Sequence, residues 1–476
     1  MKTECSTDRL DFLPAGRREI RALFDGGTIT SDAGVLLLRE VEAHSGILKG
    51  FAECFTDYRD PDLIEHTVEQ LVAQRVYALA LGYEDLNDHD ELRLDPLLAA
   101  MVGKDDPTGQ DRRREQDQGK ALAGKSTLNR LELTPPGAST NSRYKKIAAS
   151  MEKIEQLFVD SFVGAFDEPP EEIVLDFDAT DDPLHGHQLG RFFHGYYKRY
   201  CYLPLYVFCG EFLLAARLRP ADIDGAAGTV PVLAQLVELI RTRWPNVRIV
   251  LRGDSGFCRE AIMAWCENNG VDYILGLAKN TRLGGLIEEE LAEAKRRYEE
   301  TGEAARVFSE FGYRTLDSWS RLRRVVAKAE HLAKGANPRF VVTSLSCGQR
   351  EAQALYEEDY CARGEMENRI KEQQLYLFAD RTSCQTMRAN QLRLYFSSIA
   401  YTLLQTLRRI GLKGTSMATA RCDTIRLKLL KLGAQVRVTV RKVWVSFSQA
   451  YPYRQLFHEV LANLRRVMPV PTPLRC

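Results

Sequence analysis

From residue 173 to residue 278 the apolar periodicity runs strand, strand, strand, helix, strand, helix, strand, and few folds accept that order. Residues 173–178, 200–209 and 211–218 carry the β-rich, turn-bounded pattern of strands, the last two reading as a hairpin about Gly210-Glu211. Val230 to Trp244 has apolar residues at helical spacing, as does Arg259 to Asn269, which Gly270 ends. Residues 247–253 and 271–278 are the fourth and fifth strands. Helices threaded between strands in this way predict a mixed α/β sheet with helices on both faces.

Three acids stand out against that frame. Asp178 closes the first strand, Ile173-Val174-Leu175-Asp176-Phe177-Asp178, and Asp254 closes the fourth, Val250-Leu251-Arg252-Gly253-Asp254. Glu367 lies in a later polar helix, where Arg363, Glu367 and Lys371 follow one another at four-residue spacing and Tyr360 precedes Arg363 by three. All four of these residues fall on one helix face. Each feature has a plain structural explanation. An Asp ending a strand is commonly a turn or N-cap residue, and a charged helix face is commonly solvated and laced by i,i+4 ion pairs. The order of the three is more specific, because a ribonuclease-H-like fold carries its first acid on strand one, its second after strand four and its third on a later helix. Three carboxylates converging in that way suit a pair of hard divalent cations, which clamp the attacking and leaving oxygens of a phosphoryl displacement. Asp176 competes with Asp178 for the first place, since alternate strand residues share a face.

The flanking regions read differently. Before residue 168 the chain is mainly helical: Ser31 or Asp32 caps a helix through Val41, His66 to Leu81 is a helix ended by Gly82, Asp95-Pro96 opens a short one, and Arg143 to Val163 forms another. Residues 285–300 are helical, 304–346 alternate in short strands, helices dominate to about Lys431, strands fall near 435–448, and 453–467 form a last helix. The 476 residues sum to a formal charge of zero, yet the charge is segregated. Arg381 to Val445 holds 13 Lys and Arg against one acid, Asp423, and Gly119 to Lys146 holds six against Glu132. A phosphate backbone responds to such patches rather than to their sum. No apolar run approaches the roughly 18 residues of a membrane span, and the polar N-terminus lacks the core of a signal peptide, so a cytoplasmic location is expected. The 11 cysteines are scattered without a C-x-x-C pair, which speaks against a disulfide framework or a structural zinc site. His185, His187 and His194 lack zinc spacing. Gly119 to Ser126 fits G-x4-G-K-S, but the charged run before it, Asp111 to Gln118, cannot be the buried strand that a phosphate loop needs, so no nucleotide cofactor is expected.

The chain resembles bacterial insertion-sequence transposases of the DDE type, in particular the thirteen-eighty family. The likeness is carried by Leu175-Asp176-Phe177-Asp178-Ala179-Thr180-Asp181-Asp182, His185-Gly186, Gly195-Tyr196-Tyr197, Tyr202-Leu203-Pro204-Leu205, Arg252-Gly253-Asp254-Ser255-Gly256-Phe257 and the Tyr360-x2-Arg363-x3-Glu367 helix. Upstream, Leu81-Gly82-Tyr83-Glu84-Asp85, Asp95-Pro96 and Lys125-Ser126-Thr127-Leu128-Asn129-Arg130 share it. The resemblance implies a ribonuclease-H-like catalytic domain with Asp178, Asp254 and Glu367 as the catalytic, metal-holding acids. It favours Asp178 over Asp176 through the Asp-x-Thr context. It implies two Mg2+ ions, with Mn2+ able to substitute, and DNA as substrate and partner, bound by a homodimer. The organisation it implies is an N-terminal DNA-binding region (1–167), a first catalytic part (168–285), a separate β-rich insertion (286–350), a second catalytic part (351–435) and a C-terminal tail (436–476). DNA contacts are expected from Tyr360, Arg363, Lys371, Lys125, Arg130, Arg421, Arg426 and Lys428, and Trp319 in the insertion would stack on an unpaired base. The helix motif of relatives continues to a Lys seven residues after the Glu; here that position is Gln374, and Lys371 is the nearest base. The alternatives are a ribonuclease-H-like nuclease without strand transfer and a catalytically inactive DNA-binding relative.

Overall fold

The computed structural model describes residues 9–467. Contacts divide the chain into two compact units, one formed by residues 1–53, 57–148 and 406–476, the other by 54–56 and 149–405.

The second unit is built on one large mixed sheet. Its strands are β1 (Glu172–Ala179), β2 (Leu205–Cys209), β3 (Phe212–Arg217), β4 (Arg248–Gly253), β5 (Asp272–Leu277), β6 (Ala305–Tyr313), β7 (Arg323–Leu332) and β8 (Arg339–Thr343). They lie in the order β3-β2-β1-β4-β5-β8-β7-β6. β2 and β3 form the expected antiparallel hairpin, β2 pairs antiparallel with β1, and β1, β4 and β5 are parallel. This five-strand pattern is that of a ribonuclease-H-like core. Helices α1 (Met151–Val163), α2 (Thr229–Arg243), α3 (Glu260–Asn268) and α4 (Glu288–Thr301) complete the unit with α5 (Gly364–Lys371) and α6 (Met387–Thr406). One face of the sheet gives Ile173, Leu175, Phe177, Ile249 and Leu251 to a core shared with Phe162, Leu236, Ile240 and Trp244 from α1, α2 and the end of α2. Removing that much apolar surface from water is the chief force holding the unit together.

Several elements depart from the sequence reading. The expected strand 200–209 is two strands, because Pro204 has no N–H to give to a ladder: Arg199–Tyr202 joins a small separate sheet and β2 begins at Leu205. The helix expected from Arg143 starts at Met151, where the Ser150 hydroxyl accepts the Lys153 N–H, and Ile147–Ala149 is extended. The span 286–350 is not a separate insertion. Its strands are β-rich as expected, but β8 pairs with β5 along Leu277↔Phe340 to Ile274↔Thr343, and β7 pairs with β8, so the central sheet continues through it. Val325, Ala327, Phe340 and Val342 join the same core.

In the first unit the helix Val68–Leu81 carries a reciprocal cap between Thr67 and Gln70 and ends at Gly82, whose φ of +97° only glycine adopts readily. Asp32 does not cap the next helix, which runs Val35–Ser45 from Gly34. It instead accepts the Tyr83 hydroxyl at 2.7 Å and pairs with Lys431 at 2.7 Å. Within the C-terminal tail the described residues, to Val467, pack on the first unit: the strand Ala434–Thr439 pairs with Ile29–Thr30, and Val460 and Leu464 of the helix Arg454–Val467 are buried; residues 468–476 lie outside the described residues. Among the described residues no helix is long and apolar enough to cross a membrane.

Candidate active site

Parallel pairing sets the site. β1 and β4 run side by side, with Arg252 opposite Asp176 and Gly253 opposite Phe177, so Asp178 and Asp254 emerge at the same carboxyl edge of the sheet. That edge is where open α/β sheets place their chemistry.

Register also separates the two competing aspartates. Arg252, opposite Asp176, grips both its oxygens, Nε to Oδ1 at 2.5 Å and Nη2 to Oδ2 at 2.7 Å, and gives its remaining Nη1–H to the Asp359 carbonyl. Asp176 is thus buried and consumed in a bidentate ion pair. Asp178 is held differently. One oxygen accepts its neighbour's Ala179 N–H at 2.9 Å, and the other faces the Arg363 guanidinium at 3.9 Å. Burial lifts the Asp178 carboxyl to about 7; Arg363 opposes that rise, and the charges of Asp254 and Glu367 add to it.

Asp254 follows β4. Its Oδ1 accepts the Gly256 N–H at 2.8 Å, so it does cap the turn Ser255–Phe257, as a strand-end Asp commonly does, while its second oxygen makes no hydrogen bond to a described residue. A Cβ at Gly256 would sit 2.9 Å from that Oδ1, so only glycine allows this close approach.

The third acid arrives on an irregular helical run. Leu355–Tyr360 is a π-helical turn, Cys361–Arg363 a 3-10 turn, and α5 then carries Glu367, with Met366 and Ile370 buried beneath it. Such π turns recur at functional sites, where they re-aim side chains. Arg363 binds Glu367 at 3.0 Å and reaches Asp178. Burial works against its charge, but Asp178, Tyr360, Glu367 and Asp254 outweigh that and raise its pKa. Tyr360 is mostly buried beside Arg363 and Asp254, and desolvation raises its phenol. A Cβ on Gly276 of β5 would lie 2.5 Å from the Tyr360 Oη and 2.9 Å from the Ser255 N. The sequence motifs do not single out Gly276; an isolated glycine in a strand is the signal of close backbone approach that could have found it. Tyr197 belongs to the family likeness without an expected role, and its hydroxyl lies 3.4 Å from the Ala179 carbonyl.

Among the described residues no group of three His, Cys, Asp or Glu side chains lies close enough to hold a metal ion. The positive charge among Asp178, Asp254 and Glu367 is the Arg363 guanidinium. In chemical type all three are hard oxygen donors, and the charges of Asp254 and Glu367 help to raise Asp178.

The other expected contacts divide. Lys371 is exposed one turn beyond Glu367, and Gln374 donates to the Asp181 carbonyl at 3.0 Å. Trp319 is not available for stacking on a base: it is 6 % exposed, packed edge-on against Tyr313 and under Arg323. In the first unit Lys125 is paired with Asp90 and Asn87, and Arg130 is half-buried near Arg59, a cation that joins burial in lowering its pKa. Arg421 is exposed, 3.7 Å from Asp423, and Lys428 lies over the Tyr453 ring. Arg426 is not an outward base: it donates to the Ala80 and Leu79 carbonyls and packs on Gly82, capping the helix Val68–Leu81. The basic stretch is not wholly a surface patch: Arg408 is 2 % exposed and Lys431 is paired with Asp32. The segment before the G-x4-G-K-S run is the 3-10 turn Glu115–Asp117, not a strand.

The model of the family described as transposase DDE domain group 1 matches residues 12–469. The chain belongs to that family of DDE transposases. No curated protein matches its sequence. In three dimensions this transposase is similar to a piggyBac transposase solved by cryo-electron microscopy as a synaptic complex with hairpin DNA. That likeness has 12 % identity and a TM-score of 0.41, covering 93 % of this chain and 87 % of that one.

Proposed function

We propose that this DDE transposase serves an insertion sequence: it binds the terminal inverted repeats, cleaves at the element ends and joins the freed 3′-hydroxyls to target DNA. The observation that carries the reading is the gathering of Asp178, Asp254 and Glu367 around Arg363 at the carboxyl edge of a ribonuclease-H-like sheet. These three carboxylates would hold two Mg2+ ions, or Mn2+ in their place. Bound there, such ions supply Lewis-acid stabilisation to the attacking and leaving oxygens of a phosphodiester.

The chain's own groups do the positioning. The Ala179 and Gly256 N–H groups each anchor one oxygen of Asp178 and Asp254, fixing the carboxylates without a rotamer search. Arg363 has a carboxylate on either side; a scissile phosphate is a competing anion of matching bidentate geometry. Tyr360, wedged by Gly276, holds its hydroxyl beside the site to donate to the DNA backbone. Lys371 would take a phosphate further along. Arg130, Arg421 and Lys428 of the first unit would hold duplex, and that unit would read the ends. Joining conserves the number of phosphodiester bonds, so it needs no nucleotide cofactor. Two ends meet in one event, which calls for a homodimer, and the work belongs in the cytoplasm on the nucleoid.

The test is a strand-transfer assay with a labelled duplex bearing the element's terminal repeat and a supercoiled target in Mg2+. Label covalently joined to the target is expected. Hydrolytic nicking alone, with no joined product, would make the protein a nuclease.

A further inference from the structure

Between β1 and β2 the chain leaves the sheet for a small hairpin that the proposed chemistry does not use. Phe192–His194 pairs with Arg199–Tyr202, Cys201 in turn with Pro183, and the tip is Gly195 to Lys198, where the Lys198 N–H donates to the His194 carbonyl at 2.8 Å. Its base is fixed: the Tyr202 hydroxyl donates to the Leu189 carbonyl at 2.6 Å, and the Leu189 N–H donates to that of Gln385. Its far part is not covered. Phe193 is 58 %, Tyr196 83 % and Tyr200 48 % exposed. Phe193 and Tyr200 are a cross-strand pair with ring centres 5.7 Å apart, and Arg191 lies over the Tyr200 ring at 4.5 Å.

Large exposed rings gain nothing from water, so their concentration here calls for an occupant. The charge says which. From Pro183 to Tyr200 there is no acid, while Arg191, Lys198 and Arg199 are basic and three histidines are interspersed; Arg199 lies 3.7 Å from Asp181, before the hairpin, which leaves Arg191 and Lys198 as its cations. Rings alternating with bases, on a rigid hairpin, suit a single strand: bases stack on aromatic faces and phosphates meet the cations. An apolar protein partner would not select that charge. Position adds the last constraint. Tyr197, next to Tyr196 with centroids 5.0 Å apart, turns inward and lies 3.4 Å from the Ala179 carbonyl, one residue from Asp178. The hairpin tip therefore lies against the strand end that carries Asp178.

We propose that Phe193, Tyr196 and Tyr200 form a stacking platform for unpaired bases of the DNA strand beside the scissile phosphate, so that the site takes a frayed end rather than an intact duplex. This rests on the reading of Asp178, Asp254 and Glu367 as the site of phosphoryl transfer.

The experiment uses the full chain in EDTA, so that no cleavage intervenes. The probes are a forked duplex with 2-aminopurine in a short unpaired tail, and its fully paired counterpart. Wild type should quench the forked probe and bind it more tightly than the paired one. Phe193→Ala, Tyr196→Ala and Tyr200→Ala should each weaken fork binding about tenfold and lose quenching, with paired-duplex affinity unchanged. Tyr196→Phe should keep both, since a ring suffices. Unchanged melting temperatures would show that these exposed positions leave the fold intact. The proposal is overturned if the alanine variants bind both probes equally less well, if they bind the fork as wild type does, or if they change only the oligomeric mass, which would assign the rings to a second copy of the chain. Quenching by a wild type that fails to cut in Mg2+ would sink the catalytic reading alone. Cutting that is indifferent to these rings, together with unquenched forks, would sink this one alone.

Discussion

Asp176 and Asp178 are two residues apart and share a strand face, and burial raises the carboxyl of each, but their partners differ. Asp176 has a fixed cation that takes both oxygens; Asp178 has crowding acids and a shared one. Their neutral amides should therefore act in opposite directions. Asp178 titrates near 7 in the folded protein, above the roughly 3.9 of an unfolded chain. The folded state thus binds the extra proton more tightly between those two values. That contribution is fully present below about pH 4 and lost as pH rises through 7. In metal-free protein Asp178→Asn should raise the melting temperature at pH 8, by on the order of 2 kcal/mol of stability, and change it little at pH 4. Asp176→Asn strands the buried Arg252 charge and should cost about 3–5 kcal/mol at pH 8. Thermal melts of both variants at the two pH values decide it; destabilisation by both at pH 8 would contradict the assignment. The sequence could not separate this pair by periodicity, because alternation puts both on one face. The partner of each depends on the register between β1 and β4, which is a long-range fact. Trp319 failed for a related reason: an isolated tryptophan carries no sign of whether neighbours such as Tyr313 and Arg323 will cover it.

At the scale of elements, local signals were legible wherever they were self-contained. The hairpin of β2 and β3, the helix ended by Gly82 and the strand-end positions of Asp178 and Asp254 all follow from neighbours in sequence. What joins to what did not. Residues 304–346 announced strands through their alternation, but only pairing with β5 shows that they extend the central sheet. The tail strand Ala434–Thr439 finds Ile29–Thr30 about 400 residues away, and Arg426 finds the end of a helix from the opposite end of the chain. These are non-local choices that no window reveals. The sheet's continuity has a consequence. Replacing 286–350 by a short flexible linker strips β5 of its partner β8 and uncovers Leu275 and Tyr273, so the deletion should abolish cooperative unfolding rather than yield a trimmed, folded catalytic unit. Circular dichroism melts and limited proteolysis report this, and a deletion variant that still melts sharply would restore the picture of a detachable insertion.

On the scale of the whole molecule, a chain with no net charge is an unexpected nucleic-acid protein until its charge is followed in space. Part of the basic stretch serves the fold, in Arg408, Arg426 and Lys431. Part remains on the surface, as Arg421 does. The carboxylates are a separate matter: they are gathered by the ribonuclease-H-like sheet and its irregular helix at one edge, and the family match over residues 12–469 concerns nearly the whole chain. On the proposed reading Asp178, Asp254 and Glu367 act as one unit on DNA. Single-turnover cleavage of a duplex bearing the element's end, in Mg2+, tests it most directly, with binding of the same duplex measured in EDTA. Asp178→Asn, Asp254→Asn and Glu367→Gln should each lose about a thousandfold or more in rate while binding as wild type does. Any two combined should be no worse than one, because the three groups serve a single site. Near wild-type cleavage by Asp254→Asn would contradict the account.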